Sequence, residues 1–311
     1  MSTLPNDQNP AASVGPSGEG APARDGSTQN LSEQEVALGS SLTTAPAPSG
    51  LTAASGIVEP VPPIVPVVRD PAWSGLDVLR LAILAVVALF IGVFAVLFAA
   101  RFWIYPHTSV PDLARLPLVL VGGQALAYLL LLGYMYVLVT RERGRPDFLS
   151  AIHWKWPRNF GSYILAGMVL SIALQALAHF LPMPKELPID TFFRTPAEAW
   201  ALSIFGMTLA PLMEELFFRG FLYPVLARGI GMTASIFITA LAFALLHGSQ
   251  LMFAWGPVLV IFLVGTVLTM IRAYKNSVAA GLVVHMAYNS TISVLMFVAT
   301  DGFRHLEKLN Q

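Results

Sequence analysis

Residues 81 to 100 read LAILAVVALFIGVFAVLFAA, a run without a single charge that Arg80 and Arg101 bracket. A helix rises about 1.5 Å per residue, so a run of this length covers the ~30 Å of hydrocarbon in a bilayer. Lipid offers the backbone no hydrogen bonds, and a helix satisfies each N–H and C=O within its own segment. The same reading extends along the chain: apolar runs near 116–140, 160–181, 198–226, 232–247, 250–271 and 277–299 complete a set of seven predicted spans. Composition agrees, with 55% hydrophobic and only 12% charged residues against the ~25% charged of soluble domains. The expected fold is all-α, a polytopic transmembrane bundle, with kinks at Pro211, Pro224 and Pro257.

Residues 1–70 differ from this. They are rich in Pro, Ser, Gly, Ala and Thr and contain no aromatic residue, so they cannot bury enough apolar surface to offset chain entropy. They read as a disordered tail, stiffened toward extended conformations by Pro60, Pro62, Pro63 and Pro66. The tail holds seven acids and two arginines, which leaves eleven acids and sixteen basic residues for the remainder. Neither part has the concentrated positive charge that nucleic-acid binding requires. The absence of cysteine excludes disulfides and thiolate chemistry, and no basic region followed by an apolar run marks a cleaved signal peptide at the start. Four parts are expected: the tail at 1–70, N-terminal transmembrane helices at 71–197, a polar-motif segment at 198–300 and a C-terminal tail at 301–311.

Within the fourth predicted span, Pro211-Leu-Met-Glu214-Glu215-Leu-Phe-Phe-Arg219 puts two carboxylates and a guanidinium in apolar surroundings. Each such charge costs about 2.5–3.5 kcal/mol at the middle of a membrane helix, which marks the stretch for function. Glu215 and Arg219 stand four apart with the acid first, the favourable order for a pair along one helix face. Glu214 points about 100° away from Glu215 and is left as a general base. Phe243 and His247 share a face of the next helix, and His285 and Asn289 share a face of the last. A turn near Gly229 to Gly231 lies sixteen residues from both Glu214 and His247, which places these side chains at one height in a helical hairpin.

An acid and an imidazole at one level can grip a water, so the residues suggest hydrolysis. Glu214 and His247 are expected to activate the water, and His285 with Asn289 to donate to an oxyanion. The same side chains suit zinc, with Glu214, His247 and His285 as its ligands; the favoured expectation is no cofactor. Readings from other classes are a proton-coupled transporter and a non-catalytic scaffold.

The three pairs, Glu214-Glu215-x-x-x-Arg219, Phe243-x-x-x-His247 and His285-x-x-x-Asn289, resemble in order the motifs of the CAAX protease and bacteriocin-processing family. That family includes the type II CAAX prenyl endopeptidases and the Abi immunity proteins. The resemblance covers about residues 198–300 and implies an intramembrane endopeptidase of the cell membrane, acting on membrane-associated peptides or proteins. It makes Glu214 and His247 the water-activating pair, His285 and Asn289 the oxyanion donors, and Glu215, Arg219 and Phe243 supporting residues.

The cluster Arg141, Arg143, Arg145, Lys155 and Arg158 predicts a cytoplasmic loop, and alternation puts Arg228, Arg272 and Lys275 on the same side. Counting from there places Glu214 and His247 in the outer half of the bilayer, whereas family members that process prenylated proteins work from the cytosolic side. Trp73, Trp103, Trp154, Trp156 and Trp200 fall at span ends and are expected as interface anchors. His107, His153, His179 and His305 are expected to carry no chemistry.

Overall fold

A computed structural model describes residues 70–184, 188 and 192–307, so the expected tail lies outside the described residues except for Asp70. Among the described residues the regular structure is helical throughout. The order is α1 (Gly75–Ala99, continued by a π-helical turn Ala100–Ile104), the short α2 (Val110–Ala114), and α3 (Pro117–Val137, with a second π-helical turn Leu138–Glu142). Then come the short α4 (Phe148–Ala151), α5 (Phe160–Ala178), α6 (Pro196–Met207), α7 (Leu209–Glu214), a π-helical segment Glu215–Leu222, α8 (Tyr223–Ile230), α9 (Met232–Leu246), α10 (Trp255–Lys275) and α11 (Val278–Ala299).

Six of these are long and apolar enough to cross a membrane: Gly75–Ile104, Pro117–Glu142, Phe160–Ala178, Pro196–Ile230, Trp255–Lys275 and Val278–Ala299. The remaining expected span, Met232–Leu246, is a helix of 15 residues, about 22 Å long and short of the hydrocarbon thickness. A short 3-10 turn at Gly248–Leu251 follows it, and Gly256 at the start of α10 then packs against the carbonyl of Pro182 beyond the end of α5.

Local chemistry sets the helix ends. Ser74 and Asp77 form a capping box at α1, and Thr195 and Glu198 form another at α6, each pair satisfying backbone N–H groups that a helix start leaves open. The first helix therefore begins six residues before the expected run and carries Asp77 inside it. Asn276 takes a left-handed conformation after α10 and Ser277 caps α11, so two long helices turn antiparallel within two residues.

The prolines act differently from expectation. The helix breaks at Thr208, three residues before Pro211, where the proline ring clashes with continued α-geometry. Pro224 follows the π-helical segment. Pro257 sits in the first turn of α10, where its missing N–H is among the orphans anyway, and causes no kink.

The bundle is held by tight helix pairs: α1 on α3, α5 on α11, and α9 on α10. Gly167 of α5 shows how tight, since a Cβ there would come within 2.4 Å of the Val284 carbonyl on α11. Close backbone approach through small residues is how membrane helices associate when apolar burial gives no preference over lipid. Trp73 departs from its expected role. It is 1% exposed, donates from Nε1 to the Phe221 carbonyl at 3.1 Å and packs on the Phe221 ring, so it is a core residue that ties the start of α1 to the motif segment. Trp103, Trp156 and Trp200 are exposed, as anchors would be.

The bundle also places the motif level. His153 and Lys155 accept from Val278 N–H and Ser277 Oγ, which brings the basic loop to the α10–α11 turn. Arg228 donates to the carbonyls of Pro71 and Trp73 at the same end. His285 lies seven residues into α11, about 10 Å from that turn. The motifs thus sit in the half of the bundle nearer the basic residues. The opposite expectation came from counting residues back from the turn between α8 and α9.

Candidate active site

The π-helical segment gathers the motif. Its wider turn presents Glu215, Leu216, Phe218, Arg219, Gly220 and Phe221 to the interior, all buried. Glu215 and Arg219 have no exposed surface, and Arg219 Nη1 donates to Glu215 Oε1 at 2.8 Å. The rest of the guanidinium is committed too: Nη2 donates to the Gly265 carbonyl at 3.0 Å and Nε to Thr269 Oγ1 at 3.3 Å, both on α10. The Phe243 ring of α9 lies 4.7 Å from its centre. A charge this deep persists because each face meets an opposite charge, an acceptor or a ring.

Glu215 Oε1 also accepts from His285 Nδ1 at 2.9 Å, so one oxygen serves the arginine of its own segment and α11's histidine together. The other oxygen, Oε2, has no hydrogen-bond partner among the described residues. It lies over Gly281, where a Cβ would approach within 2.7 Å.

Glu214 faces a different space. Its side chain is 15% exposed, His247 Nε2 lies 3.7 Å from Oε1, and His285 Nε2 lies 3.6 Å from Oε2. These separations exceed a good hydrogen bond, yet an atom off the line between the groups reaches both at about 2.8 Å. His247 is held from behind, its Nδ1 donating to the Phe243 carbonyl at 2.9 Å. In the neutral ring Nε2 is then an acceptor directed at Glu214. Phe243 packs against both imidazoles, with centroids 4.8 Å from His247 and 5.9 Å from His285. The equal heights expected for Glu214 and His247 are present in this geometry.

Residues 196–291 match the family model described as type II CAAX prenyl endopeptidase, Rce1-like. The likeness to the CAAX proteases lies in this segment. No match was found among curated proteins or solved structures. Six apolar helices long enough to span a bilayer make the chain a membrane protein, and its matched segment is similar to an intramembrane protease family. The match begins at the capped start of α6 and covers less than a third of the chain.

Within the matched segment, zinc was the alternative expected at Glu214, His247 and His285. Among the described residues no three His, Asp or Glu side chains are grouped to hold a metal ion. His247 approaches one oxygen of Glu214 and His285 the other. Asn289 Nδ2 donates to the Gly206 carbonyl at 2.7 Å, which ties α11 to α6 and leaves one amide proton.

Motif spacing did not reveal several contributors. Gly265 and Thr269 hold Arg219 from α10, and Gly281 makes room for Glu215. Tyr128 of α3 stacks on Phe205 at 5.8 Å, accepts from Gln124 at 2.8 Å and lies within electrostatic reach of Glu214. The signal available in sequence was weak: polar residues on otherwise apolar spans.

Proposed function

We propose that the chain is an endopeptidase that hydrolyses peptide bonds of membrane-associated peptides or proteins, with Glu214 as the general base. The observation that supports this most is Glu214 itself, partly accessible and faced by two imidazoles at 3.7 and 3.6 Å, beside a Glu215 that is wholly buried and committed.

Water approaching Glu214 gives it a proton while its oxygen attacks the scissile carbonyl carbon. His247 Nε2 accepts the water's second hydrogen bond and sets the direction of attack. The oxyanion accepts from the remaining Asn289 N–H and, when His285 carries both protons, from its Nε2. Glu214 then returns its proton to the departing amine as the C–N bond breaks, leaving a carboxylate and an amine. No metal takes part in these steps. Glu215 and Arg219 act as supports, and the bilayer holds the substrate at the level of the site.

The test is Glu214→Gln, which keeps shape and removes the base. Cleavage of a membrane-associated peptide by the purified variant is expected to fall by about 10²–10⁴-fold. Cleavage at the parent rate overturns the assignment. A parent enzyme that loses activity to a chelator and regains it with stoichiometric zinc overturns the metal-free part alone.

A further inference from the structure

The π-helical segment that carries the motif runs into a proline. At its end the N–H of Tyr223 bonds to the carbonyl of Phe218, five residues back. The next bond in that register would join the N–H of residue 224 to the carbonyl of Arg219. Position 224 is proline and has no N–H, so the helix cannot satisfy this carbonyl itself. Arg272 supplies the donor. Its Nε reaches the Arg219 carbonyl at 3.0 Å from α10.

Arg272 is placed for little else. Its Nη1 donates to Asn276 Oδ1 at 2.6 Å, and its guanidinium lies 5.7 Å from the Tyr223 ring centre. It is 4% exposed. A planar, rigid fork can serve a backbone carbonyl and a side chain in fixed directions together, which the single flexible head of lysine cannot. What it fixes is the residue whose own guanidinium holds Glu215 Oε1, the oxygen that also holds His285 beside Glu214. A shift of the Arg219 backbone passes directly along these bonds.

We infer that Arg272 is a positioning residue: by donating to the carbonyl that Pro224 leaves open, it sets the turn on which Glu214, Glu215 and Arg219 are presented. The kinetic consequence rests on the proposed hydrolysis, whereas the structural consequence does not.

The experiment uses the full chain in detergent or lipid nanodiscs and four forms: parent, Arg272→Met, Pro224→Ala, and the two changes combined. Hydrogen exchange by mass spectrometry reads residues 215–224, and peptide cleavage reads kcat and KM. Arg272→Met is expected to raise exchange in that segment and lower kcat by about 10- to 100-fold with KM little changed. Pro224→Ala alone is expected to keep parent activity within about twofold. The combined variant, with its restored N–H at position 224, is expected to recover protected exchange and most of kcat. If Arg272→Met does not accumulate, the combined variant is still expected to fold and cleave. Unchanged exchange in Arg272→Met, or a combined variant as defective as the single one or equally lost, overturns the inference. Exchange that follows the expected pattern in a protein whose parent form cleaves nothing overturns the hydrolytic reading and leaves the role of Arg272 standing.

Discussion

Asp77 at the start of α1 and Glu215 in the π-helical segment are both buried carboxylates with arginine partners. Asp77 is saturated by its surroundings. Ser74 donates to its Oδ2 from both N and Oγ, at 2.8 and 2.9 Å, while Arg143 and Arg80 donate to Oδ1. Both arginines keep part of their surface in solvent, 33% and 57% respectively. Glu215 and Arg219 keep none, and Glu215 retains one oxygen without a donor beside Glu214, whose oxygens meet two imidazoles at 3.7 and 3.6 Å. The same pair of residue types is a fastener at the helix end and a support for a less satisfied acid in the bundle interior. What separates them is the state of the neighbours.

The largest expected contrast comes from breaking each pair. Glu215→Gln leaves Arg219 as an uncompensated buried charge, which costs about 3–5 kcal/mol, and cleavage should be lost with it. Asp77→Asn frees arginines that can rehydrate, so thermal unfolding in detergent should show a smaller loss, about 1–3 kcal/mol, with cleavage nearly unchanged. Equal losses of activity from both variants would break the comparison.

A smaller effect is expected from crowding Glu215. The 2.7 Å approach predicted for a Cβ at Gly281 makes Gly281→Ala an overpacking change, worth about 1–3 kcal/mol, and it should depress cleavage. Gly133→Ala is the matched control, because a Cβ there meets nothing within 4 Å. Trp73→Phe keeps the ring and removes the donor to the Phe221 carbonyl; a loss of about 1 kcal/mol is expected.

The smallest effect concerns His153. Its burial, and next the charge of Arg272, hold the imidazole below the ordinary histidine range despite the Asp70 carboxylate 3.1 Å away. The folded chain therefore binds this proton less readily than the unfolded chain. Its contribution to stability should be complete above about pH 6.5 and decline as pH falls toward the lower folded value. His153→Gln should flatten the pH dependence of the melting temperature in that window, and an unchanged slope would remove His153 as its source.

Much of this was legible in the chain. Uninterrupted apolar runs of span length dictate membrane helices, and the sixteen-residue symmetry about the Gly229–Gly231 turn already set Glu214 level with His247. The four-residue spacing likewise foretold the Glu215–Arg219 pair. Contacts between distant segments were not legible, because no periodicity encodes them. Trp73 finds Phe221 across 148 positions, Asn289 finds Gly206 across 83, and Arg272 finds Arg219 across 53. Depth was not legible for a related reason: counting residues along one hairpin gives relative heights of its own side chains only.

The central claim is that Glu214 activates water for attack on a peptide bond. Cleavage of a membrane-reconstituted peptide in oxygen-18-labelled water tests it most directly, with the products of the parent chain and of Glu214→Gln read by mass spectrometry. The parent should place one heavy oxygen in the newly formed carboxyl group, and the variant should yield almost no labelled product. Label incorporated at equal rates by both proteins would contradict the account.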